Sequence, residues 1–303
     1  MLSFSENLGA VESAFGAFRD RYGVAPPAEI AEELVRKIAM LGLFSSKSPL
    51  RLESSFPRRS FKPKTSEAVE MGQKFRVLLG VKDDEPLFDL SALLFGKFGV
   101  PVFQISKLAH VSGGCANLTG TTCIFVAKEK QIDALFNCAH QLGHLIMLNL
   151  YGQQGVSLDV CSAGLGTPKP PYEHFADVFA LELLIPKRAL GIALKEIRNL
   201  FKVKLDGVGD IELLYLSRLF GVSFLAAAKR CEREKLLLPG AAIAFEKALC
   251  QEFGGPEQRA VLLDLPARVP VTIDALPRLS DLELQPELSN LSSKQIAKAL
   301  IMS

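Results

Sequence analysis

The chain is 303 residues long, with 49% hydrophobic and 22% charged residues and a formal net charge of +2. This balance excludes a disordered chain, which lacks the apolar residues to build a core, and gives the whole molecule no charge-driven affinity for nucleic acid or membrane. Six cysteines, Cys115, Cys123, Cys138, Cys161, Cys231 and Cys250, contain no CxxC pair, so free thiols in a reducing cytoplasm are expected rather than a disulfide framework or a thiolate zinc knuckle.

The opening residues MLSFSENLGAVESAFGAFRD carry acids and no basic n-region, so no secretory signal is expected. Residues 28–44, AEIAEELVRKIAMLGLF, place apolar residues at helical spacing behind the turn-like 22-YGVAPPAE-29. Two packed helices are expected there, with a DNA-reading helix-turn-helix as the alternative. Residues 45–67 are rich in Ser and Pro and read as a linker or extended arm. Between residues 47 and 64 the bases Lys47, Arg51, Arg58, Arg59, Lys62 and Lys64 stand against Glu53 alone, a net of +5 that leaves about −3 for the remainder. Phe56 and Phe61 interleave with these charges, a pattern that suits a nucleic-acid strand. A solvated basic loop is the plainer reading.

Regular patterning begins at Glu67. Helices are expected over 67–80 and 87–100, then a strand at 101–105, PVFQI. After 112-SGGCANLTGTT-122 comes a second strand, 123-CIFVAKE-129, and a helix over about 131–150. A loop rich in Gly and Pro at 152–171 leads to a helix at about 172–185, closed by Pro186. Residues 210–237 read as helix, turn at Gly221, Val222 and Ser223, and helix, a helix-turn-helix shape whose second helix is apolar enough to favour packing. Strands are expected at 260–265 and 269–273, and a short final helix behind Ser292 or Ser293. The longest apolar stretch, 236-LLLPGAAIAF-245, is far short of the roughly 20 residues that span a bilayer, so a cytoplasmic protein is expected.

The chemistry concentrates in 137-NCAHQLGHLIML-148. His140 and His144, four apart, share one helix face and can reach one tetrahedral Zn²⁺. A pair of packed histidines is the competing explanation. The next helix carries Glu173 near its start and Asp177 one turn later. Two histidines and a glutamate form a common catalytic zinc set with the fourth position left for water. Asp177 is placed to accept the outer N–H of a histidine and fix its tautomer; capping for Glu173 and a solvated face for Asp177 are the alternatives. Tyr172 and His174 flank Glu173 as weaker candidates for stabilising an oxyanion. Adjacent helix residues do not share a face, so both cannot point to the cleft with Glu173. Cys138 should point away from the metal, and His110 lies in a loop.

The stretches 133-DALFNCAHQLGHLIML-148 and 173-EHFADVFALELLIP-186 resemble the ImmA/IrrE family of zinc peptidases, which shows F-x-x-A-H-E-x-G-H-L followed by E-x-x-A-[ND]-x-F-A-x-x-L-L-x-P. The resemblance spans roughly residues 67–237 and is strongest over these two phrases. It implies His140, His144 and Glu173 as zinc ligands, Asp177 behind them, and strand 123–129 as a sheet edge beside the cleft where a peptide adds as a strand. It also implies a helix-turn-helix repressor as the protein substrate, cleaved to switch on stress, mobile-element or antiphage genes.

The departure from the family is Gln141, which stands where the family's glutamate takes a proton from the attacking water and passes it to the leaving amine. A glutamine still hydrogen-bonds but accepts no proton, a loss worth on the order of 10²–10⁴-fold in rate. The exchange is either an inactivating substitution in a working peptidase or the native residue of a relative that binds without cutting. The expected architecture is therefore α+β: a helical region and basic linker at 1–66, a zincin-like core of small mixed sheet and active-site helices at 67–190, a helix-turn-helix-like segment at 191–239, and a C-terminal module, read as a sensor or regulatory unit, at 240–303. A non-catalytic, zinc-containing DNA-binding regulator is the rival function.

Overall fold

A computed structural model describes residues 64–105, 112–118, 121–128, 131–150, 155–159, 170–202, 207–271 and 273, together with Ser13 and two short strands at 44–46 and 282–284. The basic arm from Lys47 to Lys62, the helices expected before residue 44, His110 and the helix expected behind Ser292 or Ser293 lie outside the described residues. Phe44, expected at a helix end, instead opens strand β1 (Phe44–Ser46), which pairs antiparallel with β6 (Leu282–Leu284).

Helix α1 (Thr65–Leu79) buries Ala68, Met71, Gly72, Phe75, Arg76 and Leu79, a stripe at three- and four-residue spacing. Gly80 ends it in the left-handed conformation, φ 72°, as a glycine after a helix commonly does. Its buried Arg76 donates to the carbonyls of Leu183 at 2.6 Å, Glu85 at 2.6 Å and Lys82. Helix α2 (Leu90–Phe98) follows, and Phe98 stacks on Phe75 with ring centroids 5.1 Å apart.

The sheet contains β2 (Val102–Ile105), β3 (Gly113–Leu118), β4 (Thr121–Ala127) and β5 (Gly155–Asp159) in the order β2-β4-β3-β5. β2 runs parallel to β4, while β3 is antiparallel to both neighbours, with Cys115 opposite Ile124 and Ser157. The sheet is thus mixed, as expected, and two details differ from the sequence reading. β4 sits inside the sheet, so the strand expected at its edge is central; among the described strands β2 and β5 form the edges. β5 also lies in a segment expected as loop, and β3 in a stretch for which no element is expected. The Gly113–Gly114 pair has a packing reason: a Cβ on Gly114 would sit 2.3 Å from the Phe125 ring and 2.4 Å from the Ser157 carbonyl. Only glycine lets these three backbones and the ring approach so closely.

Against the sheet lies α3 (Ala134–Leu150), buried over nearly its whole length, with α4 (Pro171–Leu184) packed beside it. Helices α5 (Lys187–Phe201), α6 (Asp210–Leu219), α7 (Phe224–Arg233), α8 (Ala241–Phe253) and α9 (Pro256–Leu262) extend the same core, which is continuous from Ala68 to Ile273. The α6–α7 pair bends by 109° and has the expected helix-turn-helix shape, but α7 buries most of its residues, including Arg230. The strand expected at 260–265 is instead the end of α9, started by Pro256 at its first turn. Ala260 points inward while Val261 and Leu262 face solvent, so the apolar run follows a helical rather than an alternating period. The strand expected at 269–273 is likewise absent from the described residues there. The chain at Arg268 is held by its side chain, which donates to the carbonyls of Ser217 and Val222 at 3.1 and 2.7 Å.

Candidate metal centre

Whether Glu173 can meet the two histidines depends on how closely α3 and α4 approach. Gly143 decides it: a Cβ there would lie 2.9 Å from the Ala176 Cα and 3.2 Å from the Phe179 ring. With glycine facing alanine, the helix axes close up and the side chains one turn away come into register. α3 is apolar on nearly every face, which is the pattern of a helix sealed inside a protein. Its polar residues therefore need partners.

Those partners converge. The Nε2 atoms of His140 and His144 stand 3.0 Å apart. Glu173 places Oε2 at 3.2 Å from His140 Nε2 and Oε1 at 3.5 Å from His144 Nε2. The three residues are 1%, 3% and 4% exposed, and one ligand atom from each lies within 4.8 Å of the others. Behind them, Asp177 Oδ1 lies 3.1 Å from His140 Nδ1. A carboxylate this close favours the proton on Nδ1 and the lone pair on Nε2, through charge proximity rather than an aligned hydrogen bond. An imidazole lone pair and a carboxylate oxygen at 3.2 Å are both acceptors and do not satisfy each other. A cation between them does, so the donor set of two imidazole nitrogens and one carboxylate fits a metal ion.

The other expected residues divide. Gln141, about 100° round the helix from His140, is 1% exposed and presses against β3, where a Cβ on Gly113 would be 3.3 Å from its Cγ. Among the described residues its Oε1 has no hydrogen-bond partner. The Tyr172 ring lies 6.1 Å from the His144 ring at the rim of the cluster and is partly open to solvent. His174 turns the other way: it is exposed, and its Nε2 is 3.2 Å from Thr65 Oγ1 on α1. Lys64 is exposed just before α1. Cys138 is buried among apolar neighbours, and that burial pushes its thiol up to about 12, so it is an inert packing residue.

Asn137, one turn before Gln141, was not singled out by sequence reasoning. It is 1% exposed, and neither its Nδ2 nor its Oδ1 has a partner among the described residues. A polar residue at i−3 from His140 and i−4 from Gln141 was the available signal, since those spacings place it on the metal face. No single helix among the described residues is long and apolar enough to cross a membrane. Residues 95–232, from α2 to α7, match the family model described as Peptidase_M78, IrrE N-terminal-like domain. No curated protein matches the chain.

Proposed function

Since residues 95–232 are an IrrE N-terminal-like domain of the M78 peptidase family, we propose that this chain is a zinc-binding endopeptidase scaffold of the ImmA/IrrE type whose hydrolytic step is suppressed by Gln141. The observation that carries the reading is the convergence of His140, His144 and Glu173 in a buried cluster, with the Asp177 carboxylate 3.1 Å from His140 Nδ1. Zinc held there supplies a Lewis acid that polarises a peptide carbonyl and makes water more acidic. Asp177 keeps the imidazole lone pair aimed at the metal position, and the apolar walls of α3 exclude bulk water. Gln141 can orient a water through its carboxamide but takes no proton from it. Tyr172, its ring 6.1 Å from the His144 ring, is the proposed hydrogen-bond donor to a developing oxyanion.

The proposed substrate is a helix-turn-helix repressor protein in the cytoplasm, whose cleavage releases stress, mobile-element or antiphage genes. A peptide segment would add to an edge of the sheet, β5 being the edge next to β3. The rival reading, a DNA-binding regulator, loses its best described helix because α7 is mostly buried. The test is hydrolysis of co-encoded repressor candidates by the zinc-loaded protein and its Gln141→Glu form. The substitution should raise the cleavage rate by about 10²–10⁴-fold. Equal rates for the two forms would remove residue 141 from the role of base.

A further inference from the structure

Polar groups sealed inside proteins are nearly always paired, and leaving one unpaired costs free energy. Three amide atoms on α3 have no hydrogen-bond partner among the described residues: both carboxamide atoms of Asn137 and Oε1 of Gln141. Asn137 and Gln141 are i and i+4 neighbours, and His140 and His144 stand at i+3 and i+7 from Asn137, so all four share the wall that carries the metal ligands. The seal over Asn137 is the same as that over the ligands, 1% exposed against 1–4%.

Resting on the peptidase reading above, we infer that Asn137 is a specificity residue and forms, with Gln141 Oε1, an amide-lined subsite beside the metal that receives a group offering a donor and an acceptor side by side. The chemistry that fits is a carboxamide, from an Asn or Gln side chain of the substrate or from its backbone peptide group. A carboxamide answers Nδ2 and Oδ1 of Asn137 together. A leucine side chain brings neither donor nor acceptor and leaves both atoms unpaired. Sites built to hydrogen-bond a polar group reject the apolar analogue for this reason.

The test uses the zinc-loaded full chain and peptide hydroxamates that differ only in the residue beside the chelating group: Gln, Asn, Leu or Ala. Calorimetry should show a Gln or Asn probe binding on the order of tenfold tighter than the Leu probe. Asn137→Leu should cancel that preference at unchanged zinc content. It should also hold or raise the melting temperature, because it replaces an unpaired buried amide with an apolar group of similar size. If all probes weaken together by about the same factor in Asn137→Leu, the bound amide is the backbone one. A Leu probe that binds as well as the amide probes, with Asn137→Leu changing nothing, overturns the inference. So does a zinc-loaded protein that binds no probe. A chain that takes up no zinc sinks the peptidase reading itself, and this inference with it.

Discussion

His140 faces carboxylates on two sides, Asp177 at 3.1 Å from Nδ1 and Glu173 at 3.2 Å from Nε2, with His144 Nε2 at 3.0 Å. Because the outer carboxylate decides which nitrogen keeps its lone pair, losing it should harm metal binding without removing a ligand. Asp177→Ala is expected to lower zinc affinity about 10–100-fold, measured by competition with a chromogenic chelator. An unchanged affinity would reduce Asp177 to a surface carboxylate. This residue set was legible in the sequence because helical spacing converts numbers into faces: four apart on α3, then four apart on α4. Asn137 was less legible, since asparagine near a helix start commonly reads as a capping residue. Only its burial and its unpaired atoms reveal otherwise.

Between elements, the decisive contact is the glycine of HQLGH against Ala176. Gly143→Val would drive a branched side chain into the α4 backbone and the Phe179 ring. We expect a cost of about 1–3 kcal/mol in urea unfolding, together with weaker zinc binding as Glu173 is displaced. Stability lost with zinc affinity intact would mean that the helix separation does not set the ligand geometry. α4 is also tied at its far end. Arg230 donates to Glu182 at 2.7 Å and to the Ile185 carbonyl at 2.7 Å, and Arg76 bonds Leu183. The helices were readable from their periodicity. β3 and β5 were not, because a glycine pair signals a loop unless one knows that Phe125 lies across it. The run at 260–265 misled for a related reason: AVLLDL is apolar enough for a strand, and the Gly255–Pro256 start that makes it a helix lies upstream.

Over the molecule as a whole, the helices after the matched domain are latched onto it by charge. Glu257 of α9 accepts from Arg268 at 2.6 Å and from Arg218 of α6 at 3.0 Å, and Arg259 pairs with Asp210 at 3.1 Å. Burial pushes the Glu257 carboxyl up, but the bonds and charges of Arg268 and Arg218 outweigh it and hold the group below its ordinary range. A carboxyl depressed in the folded state adds stability above its unfolded pKa and loses it as pH falls through the folded value. Glu257→Gln should therefore cost at most about 1 kcal/mol near neutral pH, given its partial exposure. The difference between the two proteins should shrink on acidification in paired urea titrations. A gap that widens instead would reverse the assigned sign. The proposed function requires that the chain keep a complete metal centre while lacking its base. The most direct measurement is zinc per chain by plasma mass spectrometry on the protein as encoded, its Gln141→Glu form and its His140→Ala form. About one zinc is expected in the first two and almost none in the third. Zinc that persists in His140→Ala, or that is missing from the protein as encoded after zinc treatment, would contradict it.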